Sequence, residues 1–274
     1  MAAISFENVS LRRRTQEEYS YDFKRSLLAL IEGKYRKPPT RQVLTDISFK
    51  IQTGERLGLI GSNGAGKSTL LKVICGILTP SNGRVQVRGR IAPLIELGGG
   101  FDPDISLADN IVLYGVLLGA TRAEMLQRVE PILAFAELED YALSPVKSLS
   151  SGMRARLGFS VVTDKIPNIL LLDEVLSVGD AAFRSKCRDR MTDFWDQNTT
   201  VVAVSHDLNF LENWCDTGLW LDKGQVRYQG EVKQVRTLFQ IALQRAQCAE
   251  YRRNCLSFLA PEAGKRKSDL PQQT

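Results

Sequence analysis

The chain has 274 residues, is 43% hydrophobic and 24% charged, and carries a formal net charge of +5 at pH 7, the make-up of an ordinary globular chain long enough for one large domain or one domain of two lobes. No run approaches about eighteen consecutive apolar residues, so no membrane-spanning helix is expected, and the strand-like start Met-Ala-Ala-Ile-Ser-Phe-Glu-Asn-Val lacks the basic-then-apolar order of a signal peptide. The five cysteines, Cys75, Cys187, Cys215, Cys248 and Cys255, are odd in number and form no C-x-x-C pair, which points to reduced cytoplasmic thiols rather than a disulfide scaffold.

In chain order, residues 4–11 and 43–51 read as strands of an edge sheet. Between them, residues 12–42 form an insertion. Within it Phe23, Leu27, Leu30 and Ile31 recur at helical spacing, with Lys24, Arg25 and Glu32 elsewhere around the turn, which predicts a helix over about 22–33. Gly33 can end it, and Lys34-Tyr35-Arg36-Lys37-Pro38-Pro39 follows as a basic, Pro-terminated linker. Over residues 1–50 ten basic residues face six acidic ones, which suits an anionic membrane surface or an anionic polymer. The plainer reading is a helix packed on its own domain.

The apolar run Leu57-Gly58-Leu59-Ile60 reads as a strand and leads into Gly61-Ser62-Asn63-Gly64-Ala65-Gly66-Lys67-Ser68-Thr69, a match to the phosphate-binding pattern G-x-x-x-x-G-K-[ST]. Glycines let the backbone curl so that successive N–H groups point at phosphate oxygens. Lys67 adds a mobile positive charge for the outer phosphates, and Ser68 offers a hydroxyl to Mg²⁺. Leu70-Leu71-Lys72-Val73-Ile74 then reads as a helix whose N-terminal dipole faces the same anion. With strand before and helix after, this pattern predicts binding of a nucleoside triphosphate.

Residues 83–88 alternate as a strand after a Ser-Asn-Gly turn, and residues from about 100 to 165 read as a helical lobe whose first helix covers 106–118. Leu149-Ser150-Ser151-Gly152-Met153 precedes a helical pattern and lies 23 residues, counted from Ser150, ahead of Asp173. As a bare string it is an ordinary N-cap. Asn168-Ile169-Leu170-Leu171-Leu172 is a continuously apolar run of the kind a doubly buried parallel strand shows, and it ends in Asp173-Glu174. Two carboxylates there stand where open α/β sheets bind ligands, Asp173 placed to hold Mg²⁺ and Glu174 to polarise the attacking water. Ser177-Val178-Gly179-Asp180 follows, and after the apolar strand 201–204 comes Ser205-His206-Asp207, with the only histidine of the chain. Asp222-Lys223-Gly224-Gln225 reads as a hairpin turn, residues 231 to about 250 as a helix, and residues 261–274 as a polar, disordered tail.

These five motifs, in this order, resemble the ATP-binding cassette (ABC) family over roughly residues 3–230. The resemblance implies an α/β P-loop NTPase fold: a RecA-like parallel-sheet core, an antiparallel β edge subdomain and a helical subdomain carrying the signature Ser150-Ser151-Gly152. It implies a cassette over 1–240 and a helical extension with a tail over 241–274. ATP and Mg²⁺ are the implied cofactors, with Ser68 and Asp173 at the metal, Glu174 and His206 catalytic, and Asp180 in the loop by which two cassettes touch. A homodimer is implied as well, because the signature of one copy completes the site of the other.

Finer matches, Leu94-Ile95-Glu96-Leu97-Gly98-Gly99-Gly100-Phe101, Glu174-Val175-Leu176-Ser177-Val178-Gly179-Asp180 with Phe183, Lys186 and Cys187, and Arg156-Leu157 after the signature, are similar to the ATP-binding subunits of polysaccharide exporters. They imply an ATPase on the cytoplasmic side of the inner membrane that powers export of an O-antigen, capsule or teichoic-acid type polymer through a separate polytopic permease, with no nucleic acid as partner. The permease would dock at helix 106–118, and the inserted helix would sit near the membrane. The glutamine usual in the loop between the subdomains is missing, with Glu96 nearest its place. The adenine-stacking residue is open between Tyr35 and the pair Arg41-Gln42. Two alternatives are a subunit of another transporter class and a soluble ABC ATPase acting on ribosomes or DNA. A single cassette without a long heptad run disfavours the latter.

Overall fold

The computed structural model describes residues 1–14, 40–95, 97–173 and 180–259. The first half runs β1 (Ala2–Arg14), β2 (Thr40–Gln52), β3 (Arg56–Ile60), α1 (Lys67–Ile74), β4 (Asn82–Val87) and β5 (Ile91–Leu94). A helical stretch follows, with α2 (Leu107–Leu117), α3 (Arg122–Leu126), α4 (Val129–Ala136) and α5 (Ser151–Val162). The chain then returns to β6 (Ile169–Asp173), α6 (Ala181–Asp196), β7 (Thr200–Val204), α7 (Leu208–Trp214), β8 (Thr217–Asp222), β9 (Gln225–Glu231) and α8 (Val232–Leu259).

The main sheet has the order β5-β6-β7-β3-β8-β9 and is parallel except for β9, which returns antiparallel from β8. Its central strands are apolar throughout because both faces are covered. Successive side chains of a strand point to opposite faces, and the cores divide accordingly. Leu170, Leu172, Val201 and Ala203 join one cluster with the helical lobe and α6, while Ile169, Leu171, Val202 and Val204 join a second with α1 and the antiparallel sheet. That smaller sheet has the order β2-β1-β4.

Two differences from the sequence reading have physical causes. The strands β1 and β2 run on past their apolar residues, pairing Arg12 with Gln42, Arg13 with Arg41 and Arg14 with Thr40. A ribbon exposed to water on both faces needs no apolar alternation, so hydrophobic periodicity stops before the pairing does. The insertion thereby shrinks to 15–39, and the predicted helix at 22–33, the basic linker and Tyr35 lie outside the described residues, as does the tail from 260 on. The strand β5, unforeseen, is four residues long and contains Pro93, which an edge position tolerates. The C-terminal helix runs to Leu259.

The helical lobe is built on deliberate stops and starts. Ser106 caps α2, its hydroxyl accepting from the Asp109 amide. Thr121 and Glu124 form a capping box on α3. Asn110, fully buried, takes a hydrogen bond from the Asp102 amide and donates to the carbonyls of Asp102, Ile105 and Ser106, tying the chain before α2 to that helix. Arg128 grips Asp164 with two nitrogens, at 2.9 and 2.6 Å, closing the far end of α5 onto the start of α4. Phe135, Phe159 and Phe183 meet with ring centroids 5.8–6.2 Å apart, joining α4, α5 and α6.

Candidate functional site

The parallel register gathers the predicted site residues. Asp173 at the end of β6 stands opposite Val204 of β7, and Val204 stands opposite Leu59 of β3. The carboxyl ends of three adjacent strands therefore deliver Asp173, Ser205-His206 and the loop beginning at Gly61 to one edge of the sheet, the place where such folds bind ligands.

An open cleft of about 900 Å³ lies at that edge. Of the predicted nucleotide-loop residues, Asn63, Gly64, Gly66, Lys67, Ser68 and Thr69 line it, together with Asp173 and His206. Gly61, Ser62 and Ala65 do not line the cleft but shape it. The Lys67 ammonium donates to the Gly61 carbonyl at 2.7 Å and to the Ser62 carbonyl at 3.1 Å, so the loop curls around its own lysine. Gly66 precedes α1 at φ +108°, in the left-handed region that glycine adopts at little cost, with no side chain capping the helix and no acidic residue in its first turn. The first amide groups of α1 are thus aimed at the cleft without a competing anion from the loop.

Four lining residues lie on another wall: Arg41, Gln42 and Val43 of β2, and Lys223. Arg41 and Gln42 are one of the two alternatives the sequence leaves open for stacking on the base, while Lys223 was not foreseen as a site residue. Lys223 and Gly224 form the β8–β9 turn at φ +48° and +75°. This turn is pinned at both sides: the Gly224 amide donates to the Ala65 carbonyl at 2.9 Å, and the Thr45 amide donates to the Gly224 carbonyl at 2.8 Å. The turn therefore braces the phosphate loop against β2. A Cβ on Gly224 would lie 2.1 Å from the Val43 carbonyl oxygen. Gly224→Ala is expected to cost at least the about 1–2 kcal/mol of a left-handed alanine and to weaken nucleotide binding. Chemical denaturation and a nucleotide titration on the same preparation check this, and unchanged affinity in a destabilised chain would separate the brace from the cleft.

The signature residues Ser150, Ser151 and Gly152 lie outside this cleft and are exposed. Ser150 caps α5, its hydroxyl accepting from the Met153 amide at 3.2 Å. The first turn of α5 holds no acidic residue, so it offers a second helix end that favours an anion, one that does not line its own chain's cleft. Asp180 caps α6 through the Phe183 amide at 2.9 Å and pairs with Arg156 of α5. That amide first, and Arg156 after it, hold the Asp180 carboxyl below its ordinary value. Glu174, Ser177, Val178, Gly179 and Glu96 lie outside the described residues. Gly98 packs directly on α5: a Cβ on Gly158 would lie 2.9 Å from the Gly98 nitrogen.

Ser68 and Asp173 both border the cleft, and a hydroxyl with a carboxylate is the oxygen donor set that a hard divalent cation such as Mg²⁺ prefers alongside phosphate oxygens. Among the described residues no cluster of three His, Cys, Asp or Glu side chains could hold a metal ion. Also among the described residues, no helix is long and apolar enough to cross a membrane.

A phosphate loop between strand and helix, carboxylate and histidine strand ends beside it, and a helical lobe presenting an exposed, Ser-capped helix N-terminus define a P-loop nucleotide-binding cassette. Comparison with known proteins agrees. The sequence profile of the ABC transporter family matches residues 44–177. An O-antigen export system ATP-binding protein, RfbB, of Klebsiella pneumoniae is 42% identical over 73% of this chain and 81% of its own length. RfbB of Myxococcus xanthus is 43% identical over 92% of the chain, and the teichoic acids export ATP-binding protein TagH of Bacillus anthracis is 35% identical over 85%. The chain spans 59% of the length of that M. xanthus protein and 41% of TagH. Among solved structures, an ATP-binding subunit of an ABC transporter superposes with a TM-score of 0.66 at 23% identity, covering 87% of this chain and 93% of that one. An ATP-binding cassette solved as a dimer with ADP and phosphate superposes with a TM-score of 0.63 at 21% identity, covering 84% and 98%. The chain belongs to the ABC ATPase family.

Proposed function

We propose that this chain is the ATP-hydrolysing subunit that powers export of a cell-surface polysaccharide, of the O-antigen or capsule type, through a separate membrane permease on whose cytoplasmic side it sits. The observation that carries the reading is its similarity, at 35–43% identity, to proteins named for O-antigen and teichoic acid export, joined to a cleft whose lining is that of a nucleotide site.

Within the cleft, Lys67 and the amides at the start of α1 hold the phosphates, and Ser68 and Asp173 hold Mg²⁺. The cation supplies charge neutralisation for the phosphate oxygens. Glu174, the next residue after Asp173, orients and polarises the attacking water, and His206 faces the terminal phosphate from the end of β7. Arg41, Gln42 and Lys223 form the wall toward the base and ribose. Two copies face each other head to tail, so that Ser150, Ser151 and Gly152 of one reach the terminal phosphate held by the other; the exposure of those residues away from their own cleft supports this arrangement. Phosphoryl transfer is mostly positioning and charge stabilisation, so closing the pair of copies both completes the site and supplies the motion that a permease can use.

The exporter reading is tested at the insertion. Replacing Lys34, Arg36 and Lys37 together with glutamine is expected to lower polymer export in cells while ATP binding by the isolated chain stays unchanged, since each basic residue beside an anionic membrane is worth about 1 kcal/mol. Surface polymer is measured with the variant present at normal abundance. Export at the parental level would reduce this segment to a solvated linker.

A further inference from the structure

We infer that Arg156 is a positioning residue for phosphoryl transfer, clamping the signature-bearing helix α5 to Asp180 at the start of α6 so that the surface offered to a facing copy and the start of α6 move as one piece. This rests on the two-copy site proposed above.

Arg156 lies on α5, six residues after Ser150, and its side chain is only 17% exposed. One guanidinium nitrogen, Nη1, donates to Glu137 Oε2 at 3.0 Å, and Nη2 donates to Asp180 Oδ2 at 2.6 Å. The guanidinium carbon sits 5.0 Å from the centre of the fully buried Phe183 ring. Neither acceptor is on α5. Glu137 is the C-cap of α4, held at φ +58°, and it also takes the Lys186 ammonium from α6; Asp180 is the N-cap of α6. Lys186 first, then Arg156, keep the Glu137 carboxyl ionised below its ordinary value. One side chain therefore ties three helices at the place where they converge.

An exposed ion pair of the usual kind contributes little. This one is different in geometry: a planar fork spans two carboxylates and lies over an aromatic face, a set of contacts that lysine cannot reproduce together. Its position is also informative. Asp180 is seven residues beyond Asp173, and its own Oδ1 is committed to the Phe183 amide, so the arm toward Arg156 is a second function of the same carboxylate. A displacement of the α5 N-terminus is carried through Arg156 to the start of α6, whose N-cap lies seven residues after Asp173 in the sequence. The consequence is a link between the phosphate met in the facing copy's cleft and the start of α6 in the chain's own copy.

Steady-state hydrolysis on the full chain tests the link. Arg156→Gln is expected to lower kcat about tenfold or more, as small misplacements of reacting groups do, while the KM for ATP moves less than about twofold. Arg156→Lys, keeping one ionic contact, should recover part of that loss. Asp180→Asn keeps an N-cap acceptor for α6 but removes the charge; it should reproduce the kcat loss, and the double variant should be no worse than either single one, since both cut the same connection. If Arg156→Gln fails to fold, Asp180→Asn and Arg156→Lys decide alone. Turnover within twofold of the parent, additive losses in the double variant, or a lower melting temperature with kcat unchanged would each overturn the inference. ATP-dependent dimerisation of a Glu174→Gln chain, measured in parallel, separates the two levels. If that chain does not dimerise, the two-copy site itself falls; if it does and the Arg156 variants turn over normally, only the clamp falls.

Discussion

Replacing Glu174 with glutamine is expected to leave ATP binding intact while lowering turnover by about a hundredfold or more, the loss typical of removing a general base. Glutamine keeps the size of the side chain and its ability to accept a hydrogen bond, but it cannot take a proton from water. The ends of β6 and β7 are neighbours by register, Asp173 opposite Val204, and Asp173 and His206 line the same cleft; Glu174 follows Asp173 in the sequence. If ATP holds the two copies together and hydrolysis releases them, as the proposed two-copy site requires, the variant should accumulate as an ATP-bound dimer. Size-exclusion chromatography with and without ATP reads the dimer, and phosphate release reads turnover. Hydrolysis within a few-fold of the parent would remove Glu174 from the role of base.

The second large effect is a recovery. Lys67→Ala and Ser150→Arg are each expected to abolish hydrolysis as homodimers, the first by removing the loop's charge and the second by filling the exposed helix end with a bulky cation. A mixed dimer, however, contains one site built from the unaltered loop of the Ser150→Arg chain and the unaltered signature of the Lys67→Ala chain. Mixing two inactive preparations should therefore restore measurable turnover, up to about half the parental rate per mixed dimer if the sites act independently. The exposure of Ser150, Ser151 and Gly152 and their absence from their own chain's cleft are what make this result expected. No recovery, with mixed dimers demonstrated by differential tagging, would mean that both sites must fire together or that the shared site is wrong.

The parts of the fold that carry chemistry were readable because their constraints are local. A phosphate loop needs its glycines and lysine at fixed spacing, and a strand buried on both faces must be apolar from Ile169 to Leu172, so both stood out from the sequence alone. Lys223 did not, although the turn containing it was foreseen. Its place in the cleft depends on two backbone hydrogen bonds, to Ala65 and from Thr45, that join segments about 160 and 180 residues apart, and no periodicity records such a meeting. The Arg156 network is similar: arginine two turns into a helix looks like surface charge until α4 and α6 are folded against it. β5 was missed because four residues with a proline carry too little pattern, and the ends of β1 and β2 because a solvated ribbon has no apolar face to announce it.

That ribbon has a mechanical meaning. β4 pairs with β1 only between Ile4 and Ser10, so from Arg12 to Arg14 the two strands β1 and β2 continue with no third strand beside them among the described residues. Their last three cross-strand pairs, Arg12 with Gln42, Arg13 with Arg41 and Arg14 with Thr40, adjoin the wall of the nucleotide cleft, for Arg41 and Gln42 are in both. Three residues at about 3.3 Å each make a stem roughly 10 Å long, stiff along its axis and soft in torsion, as two-stranded ribbons are. Arg41 and Gln42 thus belong at once to the stem and to the wall of the cleft, so a change in the twist of the one and a change in the shape of the other involve the same two residues.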